Sequence, residues 1–396
     1  MINIGLLGLG TIGTGILEVL KDRNNGIRVR KILINDINKK RNADLNGAVI
    51  TSDFNDILND ENISIIVEVT SSDEQGYEYI KSALNSGKHV VTANKAVVSG
   101  YYEELSNLAE EEGRAFLYEA SVGGGIPIIK TLREQVELNE ITSIQGILNG
   151  TCNYMLSKMF DENLNYDKAL KMAQELGYAE ADPDADVEGY DTLRKLRILA
   201  TLGFQGSVLE SDILVNGIRG ITAFDVEQIK KMGCTLKLVG ETRTADNEFT
   251  ATVQPAIIGK DSYFANVNMG FNSIVFKGSN VGELEFYGPG AGKLPTTAAV
   301  LKDILDIVNN TYRKGSPLGK KVLKNANHMQ KDRYYLRISG INIKKADKLK
   351  DITDKLLYSS ENTAVITKEV LYDDILNLVA EPGVNGYFAA KILELT

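Results

Sequence analysis

Six carboxylates and one lysine are concentrated in residues 177–195, GYAEADPDADVEGYDTLRK. Asp191 and Lys195 are four residues apart, so a helix would place both side chains on one face. The residues that follow, LRILATLGF, are largely apolar and predict that this helix is buried. A lysine desolvated at the entrance of a buried helix can have a lowered pKa and can exchange a proton with a substrate. The alternative is a surface ion pair worth about 0.3–0.5 kcal/mol, and the spacing alone leaves both interpretations open.

The carboxylate cluster does not fit a calcium loop. Residues 182, 184 and 186 are aspartates with the spacing of the first three EF-hand ligands. The sixth position of that loop would be Val187 instead of glycine, and the twelfth would be Leu193 instead of glutamate. The cluster is therefore a candidate for binding an organic cation or for proton chemistry.

Lys95 is a second candidate for chemistry. It follows the predicted strand of residues 88–92 in the stretch VTANK, beyond the carboxyl end of that strand. Ligands of open α/β sheets bind at this edge. A solvated loop lysine is the alternative.

Gly8, Gly10 and Gly13 fit the pattern G-x-G-x-x-G between a predicted strand and a predicted helix. In the dinucleotide-binding fingerprint the first glycine allows a tight turn, the second lets the backbone approach the pyrophosphate, and the third lets helix and strand pack closely. The N-terminus of the helix then offers N–H groups to the phosphates. The context predicts a Rossmann-type dinucleotide site.

The choice between NAD and NADP is left open by the sequence. Asp36 lies 23 residues after Gly13, near the position of an acidic ligand to the adenosine ribose, which favours NAD. Residues 39–41 are Lys-Lys-Arg and could hold a 2′-phosphate, which favours NADP.

The order of predicted elements gives the fold class. Residues 1–130 alternate short apolar strands with helices, which predicts an α/β dinucleotide-binding domain with a parallel sheet, completed by residues 295–315. Residues 131–294 predict a second domain, of the α+β class. Residues 316–333 are polar and basic and predict a linker, and residues 334–396 predict a small C-terminal module.

Composition narrows the class of protein. The net charge of −9 argues against a nucleic-acid partner. No apolar run reaches the roughly 20 residues needed to span a membrane, and we expect no membrane partner. Cys152 and Cys234 are the only cysteines, which predicts free buried thiols and a cytoplasmic location.

Several stretches resemble homoserine dehydrogenases. They run in order along the chain: GLGTIGTG (8–15), VTANKA (92–97), EASVGGGIPII (119–129), GILNGTCNYML (146–156), GYAEADPDADVEGYDTLRKLRILA (177–200) and GPGAG (288–292). The resemblance implies reversible reduction of L-aspartate 4-semialdehyde to L-homoserine with NADH or NADPH, on the route to threonine and methionine. It also implies that residues 131–294 serve substrate binding, catalysis and dimerisation, and that the protein is a homodimer or homotetramer. Alternatives are another NAD(P)-dependent dehydrogenase of a small amino-bearing substrate, or a non-catalytic dinucleotide sensor.

The resemblance also implies a role for individual residues. Lys195 corresponds to the catalytic lysine that protonates the carbonyl oxygen, and Lys95 to a lysine between cofactor and substrate. Substrate binding would fall to Glu180, Asp186 and Asp191. The cofactor would be bound by Gly8, Gly10, Thr11, Ile12, Gly13, Asp36, Thr70, Lys95, Gly177 and Gly290. A monovalent cation, sodium, would be held largely by main-chain oxygens of Glu119, Val122, Gly124 and Ile126.

The C-terminal module departs from the ACT-type regulatory domain that many members carry. We predict a strand at 334–341, a helix at 346–357, a strand at 363–370, a helix at 372–378 and a strand at 384–393. That is one strand short of the βαββαβ order, and in the loop predicted after the first strand Ala346-Asp347-Lys348-Leu349 stands where a glycine is usual. The prediction is a degenerate, ferredoxin-like module in which amino-acid feedback is in doubt and apolar strands serve subunit contacts.

Overall fold

A computed structural model describes residues 2–21, 26–37, 43–319, 321–340 and 347–393. The described strands are β1 Ile2–Leu7, β2 Ile27–Leu33, β3 Val49–Thr51, β4 Ile63–Glu68, β5 His89–Thr92, β6 Phe116–Leu117, β7 Ile141–Ile147, β8 Leu214–Val215, β9 Cys234–Ala245, β10 Glu248–Gly259, β11 Phe271–Gly278, β12 Gly282–Pro289, β13 Lys324–Asn325, β14 Lys331–Asp332, β15 Tyr334–Ser339, β16 Thr353–Ser359, β17 Asn362–Thr367, β18 Val370–Leu371 and β19 Gly386–Leu393.

The described α-helices alternate with these strands in the first part of the chain. They are α1 Thr11–Lys21, α2 Asn55–Leu58, α3 Asp73–Asn85, α4 Lys95–Gly100, α5 Tyr102–Glu111, α6 Ile128–Gln135, α7 Gly150–Glu162, α8 Tyr166–Glu175, α9 Asp184–Val187, α10 Tyr190–Phe204, α11 Ala223–Lys231, α12 Lys293–Val308, α13 Asp347–Ile352 and α14 Tyr372–Val379. Within the described ranges, none of the helices is long and apolar enough to cross a membrane.

The chain divides into two compact units. The first contains residues 1–141, 197–210 and 278–322, and the second contains residues 142–196, 211–277 and 323–396. The predicted division into consecutive domains stays a prediction, because each unit is assembled from separate stretches of the chain.

The first unit is built on a parallel sheet with strand order β3-β2-β1-β4-β5-β6. This is the order of the doubly wound dinucleotide-binding fold. Its central strands are nearly all apolar because helices cover both faces of such a sheet. The prediction of a Rossmann-type parallel sheet is confirmed. The short edge strand β3 was not predicted.

Helix α12 completes the core of the first unit. Val300 and Ile304 are fully buried in the same apolar cluster as Ile16 of α1 and Ile4 of β1. Gly15 allows α1 and α12 to approach closely, since a Cβ at this position would lie 2.3 Å from Thr297 Oγ1. This packing agrees with the expectation that residues 295–315 complete the dinucleotide-binding domain, whose bounds stay a prediction.

The second unit contains a mixed sheet in which β11, β7, β9, β10, β19, β15, β17 and β16 are neighbours in that order. Strands β9 and β10 form a long antiparallel hairpin, closed by Asp246 and Asn247 with φ of 52° and 64°. Two consecutive residues with positive φ are typical of the type I′ turn, which asparagine and aspartate tolerate. Strand β9 was not predicted, because its buried face carries the charged residues Lys237 and Glu241 instead of an alternating apolar pattern.

The C-terminal module corrects our prediction of its strands. Residues 353–359 form strand β16 instead of the end of a helix, and they pair with β17. The module therefore has the full βαββαβ order, with antiparallel strands β19-β15-β17-β16. Residues 341–346, where the helix was predicted to begin, lie outside the described residues.

Strand β19 joins this module to the β9–β10 part of the mixed sheet. It pairs in parallel with β10, with Ala256 opposite Lys391. Much of the predicted linker is also part of the second unit, because β13 pairs with β10 and Asn327 exchanges hydrogen bonds with the main chain of Ala251. These contacts give local structure to residues that the sequence predicts as a linker, and the domain bounds stay a prediction.

A buried ion pair fastens β19 to β9. Lys391 Nζ donates to Glu241, and a second carboxylate, Asp332, lies 3.1 Å from the same ammonium. Burial by itself would raise the pKa of Glu241, but the cations of Lys391 and Arg243 outweigh burial and lower that pKa to about 2. The carboxylate therefore binds its proton less readily in the folded chain than in the unfolded one.

We expect Glu241→Gln to lower the free energy of unfolding by about 3 kcal/mol at pH 7. Since the folded pKa is depressed, this contribution is fully present above about pH 4.5 and is lost as the pH falls toward 2. In urea unfolding at pH 7, 4 and 3, the difference in free energy of unfolding between wild type and Glu241→Gln should decrease as the pH falls. Glu248→Gln is the control, since that carboxylate is exposed and lies 3.5 Å from Lys324. A pH-independent difference for Glu241→Gln would contradict the assignment.

Candidate functional site

Helix α10 carries Asp191 and Lys195 on one buried face, as the spacing predicts. Lys195 Nζ donates to Asp191 Oδ2 at 2.7 Å and to the main-chain oxygen of Leu148 at 2.6 Å. Lys195 is 8% exposed and Asp191 is 5% exposed. The interpretation as a surface ion pair is wrong. The ammonium is fixed by two acceptors at the carboxyl end of β7.

Asn149 joins the carboxylates and was not predicted. Its Nδ2 donates to Asp186 Oδ1 at 2.6 Å and to Asp191 Oδ2 at 2.8 Å. Its Oδ1 accepts the N–H of Cys152 and caps helix α7. The available signal was its place directly after a strand, in the stretch GILNGTCNYML.

Asp186 lies in the short helix α9 and is only partly buried. Burial, followed by the negative charge of Asp191, raises its pKa. Its main-chain oxygen accepts from the thiol of Cys152 at 3.2 Å. Burial raises the pKa of that thiol, and both cysteines are free, as predicted.

The cluster holds two carboxylates against one lysine ammonium. Because an unpaired buried carboxylate is costly, the cluster favours a further cationic group. Asp186 is the more exposed of the two carboxylates and is the one that such a group can reach. The arrangement combines a held proton donor with a place for an ammonium-bearing molecule.

Glu180 and Gly177 lie on an exposed segment after α8. The stack of Tyr178 on Tyr154, with ring centroids 4.7 Å apart, anchors this segment to α7. Gly177 has φ of 76°. Among the hydrogen bonds of the described residues, none joins the Glu180 carboxylate to the Asp186–Asp191–Lys195 cluster.

The three loop glycines in the first unit have different surroundings. Gly8 has φ of 100°, and a Cβ there would lie 2.8 Å from Val69 O. At Gly13 a Cβ would lie 2.3 Å from Gly8 O. Beside Gly10 the described residues leave open space, with nothing within 4 Å of a Cβ. A turn glycine, a packing glycine and a glycine facing open space fit the fingerprint for pyrophosphate approach.

Helix α1 begins at Thr11, so Thr11 and Ile12 supply N–H groups of its first turn. The helix ladder starts with the N–H of Thr14, which bonds to Gly10 O at 2.9 Å. The earlier N–H groups have no acceptor within the helix and can bind an anion.

Glu68, at the carboxyl end of β4, organises the neighbouring loops and was not predicted. It is fully buried and accepts from the N–H and hydroxyl of Thr70 and from the hydroxyl of Thr92. Thr92 Oγ1 in turn accepts from Asn94 N, and Asn94 caps the helix that begins at Lys95. Burial raises the pKa of Glu68. The only signal was an acidic residue at the end of the apolar run ISIIVEV.

Asp36 lies exposed just after β2, as expected for a residue that reads the adenosine ribose. The basic residues 39–41 lie outside the described residues.

The proposed cation residues lie in and after the turn that begins at Glu119. The Glu119 carboxylate accepts the N–H groups of Ile129 and Lys130 at the N-terminus of α6. Val122, Gly124 and Ile126 are buried, and Gly124 has φ of 58°. Gly124 contacts Gly290, where a Cβ would lie 2.7 Å from the Gly290 carbonyl. Among the described residues no cluster of three His, Cys, Asp or Glu side chains could hold a metal.

A glycine loop on the first strand of a 3-2-1-4-5-6 sheet and a buried lysine–carboxylate cluster define an NAD(P)-dependent oxidoreductase. The family model for homoserine dehydrogenase matches residues 127–305, and that for the NAD binding domain of homoserine dehydrogenase matches residues 8–119. The chain belongs to the homoserine dehydrogenase family.

Individual relatives agree with this assignment. The homoserine dehydrogenase of Bacillus subtilis (strain 168) is 41% identical over 317 residues, which cover 78% of this chain and 73% of that protein. The homoserine dehydrogenase of Synechocystis is 42% identical over 317 residues, which again cover 78% of this chain and 73% of that protein. The crystal structure of a homoserine dehydrogenase from Thiobacillus denitrificans has a TM-score of 0.89 at 32% identity, covering 100% of this chain and 99% of that one.

Proposed function

We propose that Lys195 is the proton donor and acceptor in the reversible NAD(P)H-dependent reduction of L-aspartate 4-semialdehyde to L-homoserine. The observation that carries the proposal is the position of the Lys195 ammonium, held between Asp191 Oδ2 and Leu148 O. Both acceptors direct the Lys195 ammonium to one place.

A dinucleotide held at the loop of Gly8, Gly10 and Gly13 would supply the hydride for the carbonyl carbon. As the carbon–oxygen double bond becomes a single bond, negative charge develops on the oxygen, and the Lys195 ammonium stabilises that charge. Lys195 Nζ then gives a proton to the oxygen and regains one from solvent, and in homoserine oxidation the same atom takes the hydroxyl proton. Asn149 holds Asp191 against Lys195 throughout.

We propose that Asp186, with Asp191 and Glu180, binds the substrate ammonium. The support for Asp186 is its partial exposure beside a second carboxylate, where a cation offsets the repulsion between the two. Glu180 rests on the family resemblance, since its described surroundings are solvent-facing.

For the cofactor, we infer that the phosphates bind at Gly8, Gly10, Thr11, Ile12 and Gly13. The open space beside Gly10 supports this role. We assign Thr70 and Lys95, which Glu68 and Asn94 position, to the nicotinamide side, and Gly177 and Gly290 to cofactor contacts by resemblance alone.

Cofactor preference is tested at Asp36. A hyperthermophilic archaeal homoserine dehydrogenase was solved in complex with NADPH, at 27% identity and a TM-score of 0.66, so the family accommodates the phosphorylated form. We expect Asp36→Ala to lower kcat/KM for NAD by about 10- to 100-fold, because a carboxylate bound to a ribose hydroxyl contributes about 1.5–3 kcal/mol. The value for NADP should fall less or rise. An equal fall for both cofactors would contradict the ribose role.

We also propose that main-chain oxygens of Glu119, Val122, Gly124 and Ile126 hold a sodium ion. The Glu119 carboxylate is committed to α6, so only carbonyl oxygens remain as donors, and carbonyls suit a hard cation. The two free thiols support a cytoplasmic location. We propose a homodimer or homotetramer, which sedimentation would distinguish.

Purified protein should oxidise homoserine and reduce NAD or NADP in step, as followed by dinucleotide absorbance. The absence of turnover with both cofactors, in protein shown to bind dinucleotide, would contradict the proposal for Lys195 and its cluster.

A further inference from the structure

Residues 216–221, which we call the bridge, lie between the acidic helix α9 and the C-terminal module and contact both. Ile218 N donates to Val187 O at 2.8 Å. The Arg219 guanidinium binds both Asp184 and Glu188, one at each end of α9. The bridge lies so close that a Cβ on Gly217 would be 2.2 Å from Val187 O.

Helix α9 is held from one side by Asn149 and Cys152, which bind Asp186, and from the other by residues 216–221. It has four residues, and no side-chain cap at its N-terminus. A single turn is not stable by itself. Asp186, the partly exposed carboxylate of the cluster, lies in this turn between the two residues that Arg219 holds.

The other side of the bridge contacts the C-terminal module. Arg337 of β15 donates through Nη2 to Gly220 O at 2.9 Å and through Nε to Asp225 Oδ1 at 2.8 Å. Asn216 Nδ2 donates to Ala389 O of β19 at 3.4 Å. A Cβ on Gly220 would lie 3.2 Å from the main-chain oxygen of Tyr387.

The Arg337 contact is a buried one. The side chain of Arg337 is 7% exposed and that of Asp225 is 0% exposed. Asp225 also accepts from Tyr335 Oη at 2.9 Å and closes a capping box with Thr222 at the start of α11. Two strands of the module therefore hold one end of the bridge, and the bridge holds α9.

We propose that the C-terminal module positions the substrate-binding carboxylate Asp186 through residues 216–221, with Arg337 and Arg219 as the positioning residues. The inference rests on the proposed role of Asp186. In this role the C-terminal module helps to form the substrate site, and no ligand has to bind to the module.

The sharpest test is Arg219→Met, because Arg219 is half exposed and its replacement does not disturb the core. We expect KM for homoserine to rise about tenfold or more, since small displacements of a binding group are costly, while kcat changes little. The Kd for NADPH, measured by fluorescence, should stay at the wild-type value. Arg337→Lys should also raise KM for homoserine. The single ammonium of lysine cannot bind Gly220 O and Asp225 with the fixed geometry of the planar guanidinium.

Arg333→Met is the matched control. Arg333 precedes β15 and pairs with the exposed Asp354, away from the bridge. We expect its KM to stay within about twofold of wild type, as for other exposed pairs.

Asp186→Asn, measured in parallel, separates this inference from the proposed function. If Asp186→Asn raises KM and Arg219→Met does not, the positioning inference is wrong and the substrate site stands. If Asp186→Asn leaves KM unchanged, the proposed site itself is wrong. If Arg337→Lys fails to fold, the Arg219→Met result still decides. If Arg219→Met changes KM for homoserine and the Kd for NADPH equally, the substitution destabilises the protein as a whole, and this result would also overturn the inference.

Discussion

Replacing Lys195 with methionine is expected to lower kcat for homoserine oxidation by about 10²–10⁴-fold, the usual contribution of a positioned acid–base group. Methionine preserves the length and packing of the side chain but removes the ammonium that binds Asp191 and Leu148 O. Dinucleotide binding should persist, because the glycine loop belongs to the first unit and Lys195 to the second. Steady-state rates and the Kd for NADPH check both expectations.

Lys195→Arg is the informative companion. Arginine keeps the positive charge but does not release its proton at any working pH. We expect it to be nearly as inactive as methionine. Substantial activity in Lys195→Arg would reduce the role of Lys195 to charge stabilisation, and full activity in Lys195→Met would remove Lys195 from the chemistry.

Gly10→Val is expected to raise the Kd for dinucleotide by about 100-fold or more, since a branched side chain would occupy the space of the pyrophosphate. The same change should leave the free energy of unfolding within about 0.5 kcal/mol of wild type. The reason is that no described atom lies within 4 Å of a Cβ at this position. Calorimetric titration and urea unfolding separate the two quantities.

Gly13→Ala should show the opposite pattern. Its Cβ would lie 2.3 Å from Gly8 O, so the backbone must shift. We expect a loss of about 1–3 kcal/mol in stability, as for other overpacked positions. Wild-type affinity for dinucleotide in Gly10→Val would mean that the cofactor does not approach this glycine.

The parts of the molecule with strong local patterns were predictable. The glycine loop needs only a strand, a turn and a helix in succession, and the four-residue spacing of Asp191 and Lys195 directly places them on one helix face. Asn149 and Glu68 were not predictable, because each acts through partners that are distant in the chain, such as Asp191 and Thr92. A single buried polar residue carries no periodicity.

Strand β16 shows how tertiary pairing can override a local pattern. The stretch ADKLKDITDKLL has apolar residues at helical spacing, which led to a predicted helix through residue 357. In the structure the helix ends at Ile352, and the following residues pair with β17, where Leu356 lies opposite Val365. A neighbouring strand with open hydrogen-bonding groups outweighs a helix propensity of a few tenths of a kcal/mol per residue.

Strand β19 lies in the interior of its sheet, with β10 on one side and β15 on the other. Its parallel pairing with β10 joins residues that are far apart in the chain, so a long loop must close before these hydrogen bonds form. The β9–β10 hairpin, closed by Asp246 and Asn247, can form early. Until β19 pairs with residues 256–258 of β10, this stretch of β10 keeps an unpaired edge that other chains could join. We therefore expect the second unit to fold through a slow, aggregation-prone interval that ends with the insertion of β19.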